Sequence, residues 1–470
     1  MEVMKRETQR GWRSRRRSRA LIASAAGAVV LGGVLVLPPW DGGDAPPPAP
    51  GPAALARSAV TTGVPAALGD LTVLIGDRET HLRAHPLDGV SWAVLGAAYV
   101  ERGRRTADTA NWPKAEKALR TSLKVGAKRA PQALEGMAAL AVARRDFPAA
   151  KKWGEGAVKA APKRWTAHAV LIDAYTGLGD HEGVGRALDK LMELRPDAPA
   201  VGARAAAVYR DRGWRADAEA RILDAAAAAE APAERAAYLE QAGRLAFERG
   251  DRQEALRFFQ EALRTDPDQR AAQAGQGRVL AALGRTTDAL SAYQAALAKR
   301  PVPEYALELG ELYESLGLAQ AARVQYDLLR ERVRVAGAAG GDEELVLGRF
   351  EADHGDPASA VRRLRAEWGR QPGIAVADAL GWALHRTGEH EEALEFATIA
   401  TDGEQGGGVR SALYVFHRGV IEKELGRYGP ARRHLREALM INPYFSPLRA
   451  PEAQRALAEL GEPSVEDPPR

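Results

Sequence analysis

A repeat grid constrains this chain more than any other feature. Glycines Gly179, Gly213, Gly250, Gly284, Gly317, Gly355, Gly388 and Gly426 stand 33 to 38 residues apart. Prolines keep the same interval: Pro162 to Pro196 and Pro267 to Pro301 are each 34 residues. From Pro196 to Pro267, from Pro301 to Pro372 and from Pro372 to Pro443 the gap is 71, two periods with a short insertion. Self-similarity at this period predicts stacked helical hairpins, each too small to bury its apolar face alone. A chain of 470 residues would ordinarily divide into several globular domains. A solenoid escapes that arithmetic because each repeat packs on its neighbours.

Positions inside each period have their own pattern. Five residues past the glycine comes a small one: Ala218, Ala255, Ala289, Ala322, Ala360, Ala393 and Ala431. Four further on stand Phe259, Tyr293, Tyr326, Leu364 and Leu435. The preceding helix holds a second glycine, as in Trp92, Leu95, Gly96, Tyr99 and in Ala306, Leu309, Gly310, Tyr313. Gly243, Gly277, Gly348, Gly381 and Gly419 fill the same slot. Glycine within a helix costs about 1 kcal/mol relative to alanine. Its recurrence predicts close helix–helix contact, with a small residue of the partner helix facing it. The later glycine marks the turn, where positive φ is cheap, and the proline ends the second helix.

This pattern of large residue, Leu-Gly, Tyr, then Ala, then Phe or Tyr, then Pro resembles the tetratricopeptide repeat (TPR) family. The resemblance covers roughly 89–445, with about ten hairpins starting near 89, 131, 165, 199, 236, 270, 303, 341, 374 and 412. It departs from the pattern at 104–111, which is an extra stretch, and at Arg145, which stands where a turn glycine belongs. The resemblance implies an all-α fold, a right-handed TPR α-solenoid. Arginine (54) far outnumbers lysine (12), a ratio common in GC-rich coding. The chain is thus similar to membrane-anchored, actinobacterial-like TPR proteins.

The net charge of +4 is unevenly spread. Residues 1–19 carry eight basic and two acidic side chains, a local +6, so the rest of the chain is at −2. A nucleic-acid reader needs its positive charge on the folded surface, so nucleic-acid partners are not expected. Residues 20–37 then form an uncharged stretch, about 27 Å long as a helix and near the thickness of a bilayer core. With the arginines ahead of it, the expected topology is a cytoplasmic tail (1–19), a transmembrane signal-anchor helix (20–37) and an extracytoplasmic solenoid on the cell membrane. The alternative is a cleaved signal peptide and a secreted protein. Beyond this lie a Pro/Gly-rich linker (38–65), a capping helix (66–88), the solenoid (89–445), a C-terminal capping helix (446–461) and a disordered tail (462–470).

Sites for chemistry are not found. The absence of cysteine excludes disulfides, thiol catalysis and Cys-ligated zinc. His390-Glu391-Glu392 begins like a metalloprotease helix but lacks the second histidine. Gly275-Gln276-Gly277 follows no strand. No catalytic residue, metal site or cofactor is predicted, and the expected role is a non-enzymatic scaffold. The alternative role is an accessory subunit of a membrane enzyme or transporter.

The family resemblance implies a protein or peptide ligand in the concave groove lined by the first helix of each hairpin. Carried over by position, the candidate partner-binding residues are Asp378, Trp382, His385, Arg349, Arg278, Arg244 and Glu311, with Glu240 and Glu314 beside them. Asp378, Trp382 and His385 share a helical stripe, at spacings of four and three. Trp382 either anchors a partner or packs against the next repeat. Arg244 and Arg349 either reach a ligand or pair with Glu240 and Asp353 one turn away.

Overall fold

The computed structural model describes residues 50–126, 130–403 and 408–461. Among these residues there are twenty-three helices and no strand. Helices α1 (Pro52–Thr62) and α2 (Leu68–Ala84) come first. Ten hairpins follow: α3 (Gly89–Thr106) with α4 (Asn111–Val125), α5 (Pro131–Ala143) with α6 (Phe147–Ala160), α7 (Trp165–Gly177) with α8 (His181–Leu194), α9 (Pro199–Asp211) with α10 (Arg215–Ala228), and α11 (Pro232–Glu248) with α12 (Arg252–Thr265). They continue as α13 (Arg270–Ala282) with α14 (Thr286–Lys299), α15 (Pro303–Ser315) with α16 (Ala319–Ala338), α17 (Glu344–His354) with α18 (Pro357–Arg370), α19 (Ile374–Arg386) with α20 (His390–Thr401), and α21 (Ala412–Glu424) with α22 (Tyr428–Ile441). Helix α23 (Arg449–Leu460) packs on α21 and α22. The result is an all-α solenoid.

Local chemistry explains the helix starts. Asp88, Asp146, Asp180 and Asp251 each accept a hydrogen bond from the backbone N–H three residues on, at 2.8–3.4 Å. That satisfies one of the donors a helix leaves unpaired at its N-terminus. Proline opens α5, α9, α11 and α15, where its missing N–H costs nothing. It moves the start of α11 to Pro232, four residues ahead of the expected 236.

The packing glycines meet something other than the expected small residue. A Cβ on Gly243 would lie 2.8 Å from the ring of Phe259, one on Gly277 2.8 Å from Tyr293, and one on Gly419 2.9 Å from Leu435. The large side chain of the second helix uses the space the glycine leaves open. At Gly381 the neighbours are backbone, Ala393 O at 3.0 Å and Ala397 N at 3.1 Å. Seven turn residues have φ between +65° and +88°: Gly179, Gly213, Gly250, Gly284, Gly317, Gly388 and Gly426. Arg145 takes the same conformation at φ 60°, whereas Gly355 does not, at φ −138°.

Two expectations for the N-terminal part change. The segment 38–65 is not extended throughout, since α1 occupies Pro52–Thr62. Ala56, Ala59 and Ala66 are buried against Leu71, Leu74 and Leu95, so α1 and α2 together extend the stack. No helix among the described residues is long and apolar enough to cross a membrane. The expected transmembrane stretch 20–37, the basic tail 1–19 and the tail 462–470 lie outside the described residues.

The solenoid path also returns onto itself. The turn between the two helices of an early hairpin, its tip, meets the connection between two much later hairpins. Arg300 Nε donates to Arg104 O at 3.2 Å, Asn442 Nδ2 donates to Phe247 O at 2.8 Å, and Arg215 donates to Arg410 O, at separations of 195 or 196 residues. Asp342 N donates to Arg144 O at 2.8 Å. Arg105 pairs with Asp266 at 2.6 Å, both nearly buried, and Arg145 pairs with Glu304 and Glu343. Gly179 lies against Pro372 O, and Gly213 against Gly408 O. Successive turns of the superhelix are therefore joined along a seam of tips and connections.

Candidate functional site

The first helices of consecutive hairpins lie side by side, and polar contacts bridge them. Arg164 of the α6–α7 connection binds Glu135 on α5 at 2.6 Å, Arg204 on α9 binds Asp173 on α7, and Arg210 on α9 binds Glu248 on α11 at 2.7 Å. Further along, Arg278 on α13 binds Glu308 on α15 at 2.6 Å. His354 on α17 lies 3.2 Å from Glu314 on α15. Trp382 Nε1 on α19 donates to Asp353 on α17 at 2.9 Å, and His417 on α21 lies 2.9 Å from Asp378 on α19. Burial works against the charge on Arg278, but the Glu308 carboxylate overcomes it and raises the pKa. Burial likewise opposes ionisation of Asp353, yet the Arg449 guanidinium and the indole N–H hold its carboxyl below the usual range.

A cavity of about 480 Å³ opens beside this ladder. Helices α13, α15, α17, α19 and α21 supply one side. The other side is 443–454, where the α22–α23 connection crosses back over the seam. Apolar surface comes from Leu307, Leu312, Trp382, Leu413 and Phe445. Arg449 at the start of α23 reaches Asp353 at 2.5 Å and sits 5.3 Å above the Trp382 ring.

The predicted residues separate into groups. Asp378, Trp382, Arg278, Glu311 and Arg349 line the cavity, whereas His385 and Arg244 are not among its walls. Asp378 and Trp382 are buried, at 3% and 4% exposure. Trp382 stacks between His417 at 4.2 Å and His385 at 4.8 Å, so most of its surface packs inside the fold. The stripe of three does not project together. His385 turns toward His390 at 3.2 Å, and burial, with the neighbouring His390 and His417, pushes its pKa down to about 4. Glu311 lies 3.7 Å from His354.

Neither one-turn arginine pair forms. Asp353 is held by Trp382 and Arg449, which leaves Arg349 exposed in the cavity with no hydrogen bond or ion pair among the described residues. The Nε of Arg244 is buried with no hydrogen-bond partner. Among the described residues no group of three His, Cys, Asp or Glu side chains is arranged to hold a metal ion. The wall at 443–454 was missed in the sequence. Its approach to α13 and α15 depends on the superhelical return, which leaves no local mark.

A tetratricopeptide-repeat family model matches residues 241–302 and 274–332, in the middle of the hairpin array. Residues 241–332 thus carry tetratricopeptide repeats. A search among curated proteins finds no match. Among solved structures, human IFIT1 in a dimer with PPP-AAAA is 15% identical over 83% of this chain and 94% of its own, with a TM-score of 0.45. PilW, a type IV pilus biogenesis factor, is 20% identical over 44% of this chain and 94% of its own, with a TM-score of 0.37. PilF of Pseudomonas aeruginosa is 17% identical over 43% and 92%, with a TM-score of 0.35. These likenesses concern the repeat fold alone.

Proposed function

We propose that this TPR protein is a non-enzymatic scaffold that holds a protein or peptide segment in the cavity along its first helices. Arg349 carries the reading. The other arginines of the cavity wall, Arg278 and Arg449, are committed to Glu308 and Asp353. Arg349 alone among the three presents a free guanidinium beside apolar surface. A guanidinium in that position binds a carboxylate through two parallel N–H bonds. A segment with an acidic group next to an apolar side chain suits both features. Asp378 and Trp382 then shape the wall rather than contact the ligand with a free polar group.

Arg349→Ala should weaken recovery of the partner that co-purifies with the parent, by about 1–2 kcal/mol in affinity. Stability should stay within about 0.5 kcal/mol, because the side chain is exposed. Undiminished binding by that variant would remove the cavity from consideration. The proposal includes tethering to the outer face of the cytoplasmic membrane through 20–37, supported by the basic residues ahead of that stretch. Protease added to intact spheroplasts should then digest the solenoid, and full protection until lysis would reject the orientation.

A further inference from the structure

A second, smaller cavity of about 120 Å³ lies within the seam. It opens where the α3–α4 and α5–α6 tips meet α16 and the connections on either side of the α15–α16 hairpin. Its polar wall is made by Trp112, Arg145, Arg300, Glu304, Arg332 and Glu343.

Several of these groups lack partners. Trp112 is 6% exposed, and its Nε1 has no hydrogen-bond acceptor. That N–H stands beside Gly103, another wall residue, where a Cβ would lie 3.1 Å from it. Arg300 and Arg332 direct their Nε groups to the carbonyls of Arg104 and Pro301, at 3.2 Å each, and Arg300 also reaches Tyr305 Oη at 2.7 Å. Neither arginine has an ion pair among the described residues. The two carboxylates of the wall, Glu304 and Glu343, are both taken by Arg145. Glu343 Oε2 lies 3.3 Å from Arg145 Nε but is buried without a hydrogen bond.

A ligand that completes this wall accepts from an indole N–H, answers two guanidinium charges and donates to a carboxylate oxygen. Water can satisfy a lone buried donor, but it does not answer the charge. An oxyanion that keeps a proton meets all three demands. Phosphate keeps at least one proton at neutral and mildly alkaline pH, whereas sulfate keeps none.

We propose that the seam cavity is a binding site for inorganic phosphate, whose oxygens accept from Trp112, Arg300 and Arg332 and whose hydroxyl donates to Glu343. Trp112 belongs to an early hairpin, and Arg300, Arg332 and Glu343 belong to much later ones. The bound anion therefore ties two superhelical turns together. The site is separate from the cavity along the first helices and does not depend on what that cavity holds.

Equilibrium dialysis of the full chain, in mild detergent, against labelled inorganic phosphate tests this. The pH is set to about 8, above the value of about 7 to which burial raises Glu343, so that its carboxylate needs the ligand's proton. At fixed ionic strength the parent should bind a single phosphate per chain, and an equal concentration of sulfate should not displace it. Arg332→Gln and Trp112→Phe, with unchanged helicity, should each bind at least about tenfold more weakly. Arg334→Gln, on the same helix as Arg332 but exposed and paired with Glu331, should bind like the parent. If Arg332→Gln or Trp112→Phe loses helicity, Arg300→Gln replaces it. A parent that binds no phosphate would show that water fills the cavity and would overturn the proposal. Displacement by sulfate, or binding undiminished in the wall variants, would overturn it too and leave an adventitious ion only.

Discussion

The tips at Gly179, Gly213 and Gly250 and those at Gly284, Gly317, Gly388 and Gly426 have the same residue at the same period with the same sign of φ, yet they serve in different surroundings. The first group is covered by a later turn of the superhelix: Gly213 faces Gly408 O, and Gly250 faces Asn442 and Pro443. The second group is open. Glycine is needed at all of them for the left-handed turn, but only at the covered ones for close approach of another backbone. One pattern in the sequence thus has two physical causes, and only the first is local.

The largest effect that separates the two groups concerns ion pairs. Arg105–Asp266 lies in the covered seam at 7% and 11% side-chain exposure, whereas Arg285–Asp288 lies at an open tip, with both partners more than half exposed. Arg105→Ala leaves a buried carboxylate without its partner and should cost about 3–5 kcal/mol in denaturant titration. Arg285→Ala should cost no more than about 0.5 kcal/mol. Equal losses would erase the distinction between covered and open tips.

Next come the glycines themselves. Gly317→Ala places an L-residue in the left-handed region and should cost about 1–2 kcal/mol. Gly213→Ala carries that cost plus a collision with the carbonyl of Gly408, typically a further 1–3 kcal/mol or so. Matching melting curves for the two variants would show that the seam at Gly213 opens freely.

The smallest effect is one of pH. Burial raises the Glu343 carboxyl in the covered seam from 4.5 to about 7, with Arg145 pulling it down and Glu304 pushing it up. The native state therefore holds a proton that the unfolded chain releases. Stability from this group is full below about 4.5 and falls as pH rises toward about 7. Glu343→Gln should flatten that fall in melting temperature between pH 5 and pH 7 (roughly the window the raised pKa sets). An unchanged slope would show that Glu343 ionises freely in the native protein.

Much of the fold was legible because hairpin packing is local. The second-helix residue sixteen positions past Gly243 or Gly277 is the one that fills the slot. Arg145 could be recognised as a turn residue from the grid alone, and it adopts the glycine-like φ. The helix at Pro52–Thr62 was not legible, because its proline-rich approach resembles a linker while its own proline sits at the harmless first position. The cavity was half legible. The family resemblance, carried over by position along the first helices, brought Arg278, Glu311, Arg349, Asp378 and Trp382 to it, but could not tell that Trp382 is consumed by stacking or that Asp353 is claimed by Arg449. Those outcomes depend on neighbours one repeat away or further, beyond any helical period.

The seam also limits how the chain can change in length. Loops of an open solenoid tolerate insertions, because nothing downstream must stay in step. Here a residue added within a packed helix between Phe247 and Asn442 displaces one partner of a seam contact relative to the other. Insertions are accommodated at the tips that no later turn covers, Gly284, Gly317, Gly388 and Gly426, where added residues can loop outward without lengthening the stack. In an architecture of loosely counted repeats, this molecule counts its residues.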